Sequence, residues 1–441
     1  MLGMPSEVTH NSDDSITVSI TFKPGRTMLE SEQAVQQALN EVGAVATGEC
    51  LKRFDTDGAP IIIGGKKWTA RGRCAQAKKY ETPYGKIRVE RHVYQSSAGG
   101  RTYCPLEHNA RIVRIATPLL AKQVSFKYGH NNATEVVQDF AQHGRKIDRS
   151  HVREIAADVA SISAEKESCW TYDLPQVFAG QLVKTVAVGA DGACVLFCQD
   201  EGWRQVMVGT IAFYNDDGER LHTIYVANSP EKGKGSFFER MERELSIVRE
   251  NYPEARYVGI ADGAHDQWEW LKQKTDWQIL DFWHASEYIN AVAPAFAGSE
   301  TAQKDWVAQA CHRLKHEAGA ASSLLVELEE TAKKKLKQAL RTEVAKAITY
   351  LRNQMERMDY STYKAMGFPI GSGVTEAACK CIVKARLCGA GMRWRLDGAQ
   401  RVLSLRTLIK SAGRWEEFWK KTSLYGFSKI TRKIRPTAKT K

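Results

Sequence analysis

The sequence predicts an α/β protein built on a mixed sheet, broken by a long helical insertion and preceded by a small basic β region and a helical region. Three observations carry that prediction. Between residues 185 and 281, strand-like apolar runs alternate with turns and one amphipathic helix. From 284 to 365 the chain is almost wholly helix-forming and rich in Lys, Glu and Ala. Residues 61–165 pass from alternating basic segments to short capped helices. With 43% apolar and 26% charged residues, the composition is that of a globular chain, not a disordered one.

Residues 1–60 make a loosely defined start of unclear role. Residues 16–22 alternate as a strand does, and 29–42 space their apolar residues as a helix does. From 61 to 107 the chain is basic and β-rich. Residues 86–94 alternate polar and apolar behind a Pro83-Tyr84-Gly85 turn, which predicts a small sheet with cations on one face. Three helices are expected over 115–165. Pro118 opens the first, and the second, 133–142, is closed by His143-Gly144. Asp148 caps the third, which aligns Val152, Ile155 and Val159. Two short helices about a glycine-bearing turn have a helix-turn-helix pattern, so 61–170 is expected to bind DNA. The contacts would come from Arg145, Lys146, Arg149, His151 and Arg153. Any helical hairpin shares the pattern, and a structural role is the other reading.

Residues 185–197, 205–213 and 221–226 read as three strands, the last two joined by Asn215-Asp216-Asp217-Gly218. A helix over 236–250 aligns Phe237, Met241, Leu245 and Val248, and two more strands follow at 257–261 and 278–280. Three hairpin-linked strands, a crossover helix and two further strands are the order of an RNase H-like fold. Its core would comprise 180–283 and 366–425, with the insertion 284–365 between them and a basic flexible tail at 426–441.

In that fold one carboxylate lies on the first strand and another at the end of the fourth, its neighbour in the sheet. Asp191 interrupts an apolar run and Asp262 ends one, and each is followed by glycine. An unpaired charge in a buried strand is costly, and a divalent cation with hard oxygen ligands is a natural partner for two facing aspartates. Taken singly, each Asp-Gly is better explained by a turn; both on the expected strands of one topology favour the metal pair. Glu376 supplies a third acid. It follows the turn Pro369-Ile-Gly-Ser-Gly-Val-Thr375, in the first turn of a helix running through Lys384, with Ser372 or Thr375 as its cap. Alone it would also suit the helix dipole, a contribution of at most ~1 kcal/mol. His284 lies just past the last strand, either to orient a phosphate or a water, or as a buried structural histidine.

The chain carries a net charge of +12, and its distribution is uneven. After Glu376 there are 17 Lys or Arg against Asp397, Glu416 and Glu417, an excess larger than that of the whole chain. Interleaved aromatic and apolar residues distinguish 380–421 from a solvated tail, and polyanions are the expected partner. Lys380, Lys384, Arg386, Arg393 and Trp394 are the expected DNA contacts, although Trp394, like Leu403, Leu405 and Leu408, also suits a core. Ten cysteines with no C-x-x-C pair read as free thiols. Cys104 with His108, and Cys74 upstream, leave a metal half-site open beside chance spacing. No apolar run reaches the ~18 residues that span a bilayer, and the N-terminus lacks a signal peptide's order, so no membrane partner is expected.

The segments Gly371-Ser-Gly-Val-Thr-Glu376-Ala-Ala-Cys-Lys380, Lys384-Ala-Arg386 and Gly391-Met-Arg-Trp394 resemble the C-terminal signature of bacterial insertion-sequence DDE transposases of the ISKra type. Asp262-Gly-Ala264 with Trp268, Asp281-Phe-Trp-His284 with Glu287, Gly398-Ala-Gln400 and Leu405-Arg406 extend the resemblance over about residues 80–421. The resemblance implies a catalytic and metal-binding triad of Asp191, Asp262 and Glu376, holding two Mg²⁺ (or Mn²⁺) ions ~3.5–4 Å apart with Asp191 between them. It implies nicking at transposon ends, then attack of the freed 3′-OH on target DNA, with no covalent protein–DNA intermediate. Double-stranded DNA, a homodimer or larger synaptic assembly, and a cytoplasmic location on the bacterial nucleoid follow. The cysteine pairs of such relatives near the basic hairpin are matched here by Cys74 and Cys104 alone, so no zinc site is carried over. Two other functions share parts of this pattern. An RNase H-like nuclease or resolvase would use the same metals without strand transfer, and a non-catalytic DNA-binding regulator would need none of the three acids.

Overall fold

The computed structural model describes residues 7–71, 76–174, 182–198, 202–231, 233–263 and 265–428, apart from the side chains of 265 and 266. These residues form a mixed α/β protein of two units, Met1–Tyr172 with Trp415–Lys441, and Asp173–Arg414.

The first unit opens with a hairpin, β1 (Glu7–Asn11) and β2 (Ile16–Ser19), followed by α1 (Met28–Lys52). A capping box starts α1: the Thr27 hydroxyl accepts the Glu30 N–H, and the Glu30 carboxylate accepts the Thr27 N–H. The helix continues well past residue 42, through two glycines that look like a stop signal. Gly43 serves a close approach instead, since a Cβ there would come within 2.4 Å of the Tyr84 ring. Next come β3 (Ile61–Ile63), β4 (Lys66–Ala70), β5 (Gln76–Glu81), β6 (Lys86–Arg91), β7 (Tyr94–Ser96) and β8 (Thr102–Tyr103). Strands β3, β4, β7 and β8 form one antiparallel sheet, and β5 with β6 a separate hairpin. The single strand expected over 86–94 is therefore two. Pairing breaks at His92, where one Asp55 oxygen accepts the main-chain N–H at 2.9 Å and contacts Nδ1 at 3.0 Å.

Helices α2 (Pro105–Asn109), α3 (Pro118–His130), α4 (Ala133–Gln142) and α5 (Arg149–Lys166) follow. α5 buries Val152, Ile155 and Val159, the face expected from their spacing. Asp148 occupies its N-cap position but makes no capping bond. Its carboxylate turns to Lys86 at 3.1 Å and His151 at 3.6 Å.

The second unit is built on β9 (Thr185–Phe197), β10 (Gly202–Tyr214), β11 (Arg220–Asn228), α6 (Gly235–Asn251), β12 (Arg256–Ala261), α7 (His265–Lys274) and β13 (Trp277–Leu280). The sheet order is β11-β10-β9-β12-β13. Strands β9, β10 and β11 form an antiparallel meander, and β12 and β13 run parallel to β9. Helix α6 buries Phe237, Met241, Leu245 and Val248 against this sheet's core. The helical stretch then supplies α8 (Phe282–Val292), α9 (Glu300–His316), α10 (Ala320–Ala332), α11 (Gln338–Gln354) and α12 (Tyr360–Ala365). Its Leu314, Leu324, Leu328, Val344 and Leu351 join the same apolar core. The unit ends with α13 (Gly373–Ala378), a π-helical stretch (Cys379–Lys384), α14 (Ala385–Leu387) and α15 (Leu396–Lys410).

The last helix, α16 (Arg414–Tyr425), lies in the first unit, where Phe418 packs edge-on against Trp170. From the sequence, residues up to 425 were expected to complete the second unit. Among the described residues, no helix is long and apolar enough to cross a membrane.

Candidate active site

The site forms where β9 and β12 run side by side. Their parallel register pairs Ile260 with Gly189, after which Asp191 continues along β9 and Asp262 follows the end of β12. Alternation along β9 puts Gly189 and Asp191 on one face of the sheet. Helix α13 covers that face at closest approach: a Cβ on Gly189 would lie 2.2 Å from Thr375 Oγ1. The Thr375 hydroxyl is also 2.7 Å from that of Thr210 on β10. Glycine at 189 therefore sets how close the Glu376 helix can come. Thr375 is bonded across to the sheet and does not cap its helix.

Asp191 is half-buried. Its Oδ1 accepts the Gly192 N–H at 2.6 Å and its Oδ2 accepts the Cys379 thiol at 3.5 Å. Burial, and then the Asp191 charge, push the Cys379 thiol far above its ordinary pKa, so it stays protonated. Cys379 lies three residues past Glu376, on the same side of the helix. Glu376 thus begins the turn that touches Asp191.

Glu376 is exposed, and its Oε1 is 3.1 Å from Ser372 Oγ. The same Ser372 hydroxyl lies 2.8 Å from Asp281 Oδ2. Asp281 is 3% exposed and its Oδ1 also accepts the N–H groups of Trp283 (3.0 Å) and Ser372 (3.3 Å). One buried carboxylate therefore caps α8 and anchors the start of α13. Sequence reasoning quoted Asp281 and Ser372 without this role; the readable signal was an acid directly before a helix.

Asp262 is exposed just beyond β12, and its carbonyl accepts the Tyr350 hydroxyl at 2.9 Å. Gly263, at φ 121°, makes the turn behind it. Tyr350 stacks on Tyr288 with ring centroids 3.9 Å apart, and His284 meets Tyr350 edge-on at 5.7 Å. His284 is half-buried with Nδ1 3.1 Å from Glu287, so its contact with the acids runs through Tyr350.

Past Glu376 the helix widens into its π-helical stretch, whose loosened carbonyls need other donors. Arg406, 4% exposed, donates Nε to the Ile382 carbonyl at 2.7 Å and Nη2 to that of Cys381. Burial pulls its pKa down to about 10. Of two expected DNA contacts here, Arg386 is corrected by its burial, and Trp394 is half-buried. Arg386 is 3% exposed, with its guanidinium 5.2 Å from the centre of the Trp394 ring. Trp394 donates Nε1 to the Leu387 carbonyl, and its main chain bonds Leu196 and Cys198 at the end of β9. Lys380, Lys384 and Arg393 are exposed.

The first unit makes a similar division. Lys146, Arg149 and Arg153 are exposed, but Arg145 is buried. Its Nε and Nη2 bond the carbonyls of Pro83 (2.7 Å) and Thr82 (2.6 Å), so it locks the β5–β6 turn and does not face a ligand. His151 is half-buried with Nδ1 2.9 Å from Glu81. Glu81, Asp148 and His151 bring potential ligand atoms within 4.8 Å of one another, a closeness no other such trio reaches among the described residues. Lys86 already lies there, 3.5 Å from Glu81 and 3.1 Å from Asp148, as the cluster's cation. Cys104 is buried and belongs to no such group, and Cys74 lies outside the described residues.

Compared with known proteins, the chain matches no family profile and no curated protein.

Proposed function

We propose that the chain is a DNA transposase of the DDE type, with an RNase H-like catalytic unit that cuts transposon ends and joins them to target DNA. The observation that carries this reading is the contact of Asp191 on β9 with Cys379, one turn past Glu376, beside the parallel strand β12 that leads to Asp262. A meander of three antiparallel strands followed by two parallel ones supports the RNase H-like assignment.

A carboxylate in the middle of β9, one just beyond β12 and one in the first turn of α13 are hard-oxygen donors, and those of Asp262 and Glu376 belong to exposed residues. Asp191, Asp262 and Glu376 would hold Mg²⁺ or Mn²⁺, and their ligand atoms would have to draw closer than in this structure, where the three do not all lie within 4.8 Å of one another. Bound there, such ions would neutralise charge on the attacking and leaving oxygens of an in-line displacement. The protein's own part is positional. Asp281 and Ser372 hold the Glu376 turn, Tyr350 holds the Asp262 carbonyl, and Arg406 fixes the stretch bearing Cys379. Lys380, Lys384 and Arg393 present cations to the phosphate backbone. In the first displacement water breaks a phosphodiester and leaves a 3′-OH. In the second that hydroxyl attacks a target phosphodiester, so one ester bond forms as another breaks. Double-stranded DNA is the partner, and two ends handled together call for at least a dimer.

The test is strand transfer. A duplex with the element's own terminal sequence and a free 3′-OH is incubated with the full chain, supercoiled plasmid and Mn²⁺ or Mg²⁺. Joined plasmid is expected. Cut but unjoined plasmid would identify a nuclease, and absence of any cation-dependent product would leave a DNA-binding regulator.

A further inference from the structure

The first unit contains a cavity of about 370 Å³ that the proposed chemistry does not use, walled by Tyr103, Cys104, His108, Arg111, Ile112 and Phe427. Its size is within the range of small-molecule sites. The turn leading from α2 to α3 forms one side and bends through two non-glycine residues in left-handed backbone, Arg111 (φ 53°) and Arg114 (φ 63°). Residues held there persist where the surroundings fix them, and they gather at ligand sites.

The two arginines differ in charge balance. Arg114 is matched by Glu154 at 2.8 Å and Asp158 at 3.1 Å. Arg111, half-buried, donates Nη1 to the His108 carbonyl (3.0 Å) and Nε to the Ser423 carbonyl (3.3 Å), and among the described residues it meets no carboxylate. Gly426, at φ 67°, makes room for it, because a Cβ there would lie 2.7 Å from Nη1. Two acids lie on the cavity wall: Glu107 is occupied by Lys78 (2.6 Å), Tyr80 (3.0 Å) and Arg91 (3.3 Å), and Asp158 by Arg114. His108 adds no charge near neutral pH, since burial and then Arg111 lower its pKa. The cavity therefore combines the Arg111 guanidinium, which meets no carboxylate among the described residues, with ring and aliphatic walls and with acids already paired to other cations.

We propose that this cavity binds a small organic anion carried on a flat ring, its carboxylate or phosphate on Arg111 and its ring against Tyr103, Ile112 and Phe427. Calorimetry on the full chain tests this with 2-naphthoate and dAMP, which separate a free aromatic acid from a nucleotide. Their uncharged counterparts, 2-naphthamide and deoxyadenosine, and inorganic phosphate alone serve as comparisons. At least one ring anion is expected to bind saturably, at least tenfold tighter than its counterpart and than phosphate. Arg111→Asn should lower that affinity at least tenfold, and Asn tolerates the left-handed backbone, so the turn is kept. Phe427→Ala, which leaves the Arg111 contacts in place, should weaken it too and covers a folding failure of the first variant. No saturable binding of either anion, equal binding of the uncharged ring, or undiminished affinity in both variants would overturn the proposal.

Discussion

Ser372 has one hydroxyl proton and two carboxylates within reach. The shorter contact is to Asp281, so Glu376 is left facing an oxygen that a cation would replace as its partner. A second residue of the same unit ties stability to pH. Burial, and then the nearby Arg414, pull the buried His222 down to a pKa of about 4, against an ordinary 6.5. The unfolded chain therefore takes up a proton that the folded chain refuses. The stability this contributes is fully present above pH 6.5 and is lost progressively towards pH 4. Chemical unfolding of His222→Gln should show a shallower loss over that window, and an unchanged slope would mean that other groups dominate. The positions of Asp191 on β9, Asp262 after β12 and Glu376 in the first turn of α13 were legible, because each acid breaks or ends an apolar run or opens a helix. Arg145 and Arg386 were read as solvent-facing because they lie in basic segments. What buries them is a carbonyl pair at residues 82 and 83 and the ring of Trp394, partners that no local pattern displays.

Among the elements, the contact of α13 with β9 sets how closely the helix that carries Glu376 lies against the strand that carries Asp191. Gly189→Ala should push Thr375 away, cost about 1–3 kcal/mol by overpacking, and cut cleavage more than DNA binding. Adding Thr375→Ala removes the atom that the new methyl meets, so the double variant should be more stable than the sum of the single changes requires. Strict additivity in denaturant melts would show that the two residues do not clash. Strands β9 to β13 were legible from alternation, buried runs and turn residues. The π-helical stretch was not, because the donor that meets its carbonyls, Arg406, lies more than twenty residues further along the chain. For α1, Gly43 imitated a stop signal while answering to Tyr84 in another element.

Over the whole molecule, the excess charge is most useful to a polyanion where it is exposed. Neutralising Lys384 and Arg393 together should weaken binding about equally on specific and random DNA and flatten the salt slope by roughly two units, one per phosphate contact. Arg386→Gln should instead lower stability and leave that slope unchanged. Binding isotherms at several salt concentrations check both, and a slope insensitive to the exposed pair would remove this face from the DNA path. The class of fold was legible at this scale, since strand order follows from local pattern. The placing of α16 in the first unit was not, because it depends on packing such as that of Phe418 on Trp170.

The central claim is that Asp191, Asp262 and Glu376 act together on DNA through divalent cations. The most direct measurement is Mn²⁺- or Mg²⁺-dependent cleavage of a duplex spanning the element's own end, by the unaltered chain and by Asp191→Asn, Asp262→Asn and Glu376→Gln, with DNA binding followed in parallel. Each variant is expected to bind as before and to cleave more than about a hundredfold more slowly, beyond the loss seen when a group outside the ligand set is changed. Near-normal cleavage by Glu376→Gln, or cleavage that persists without a divalent cation, would contradict the assignment.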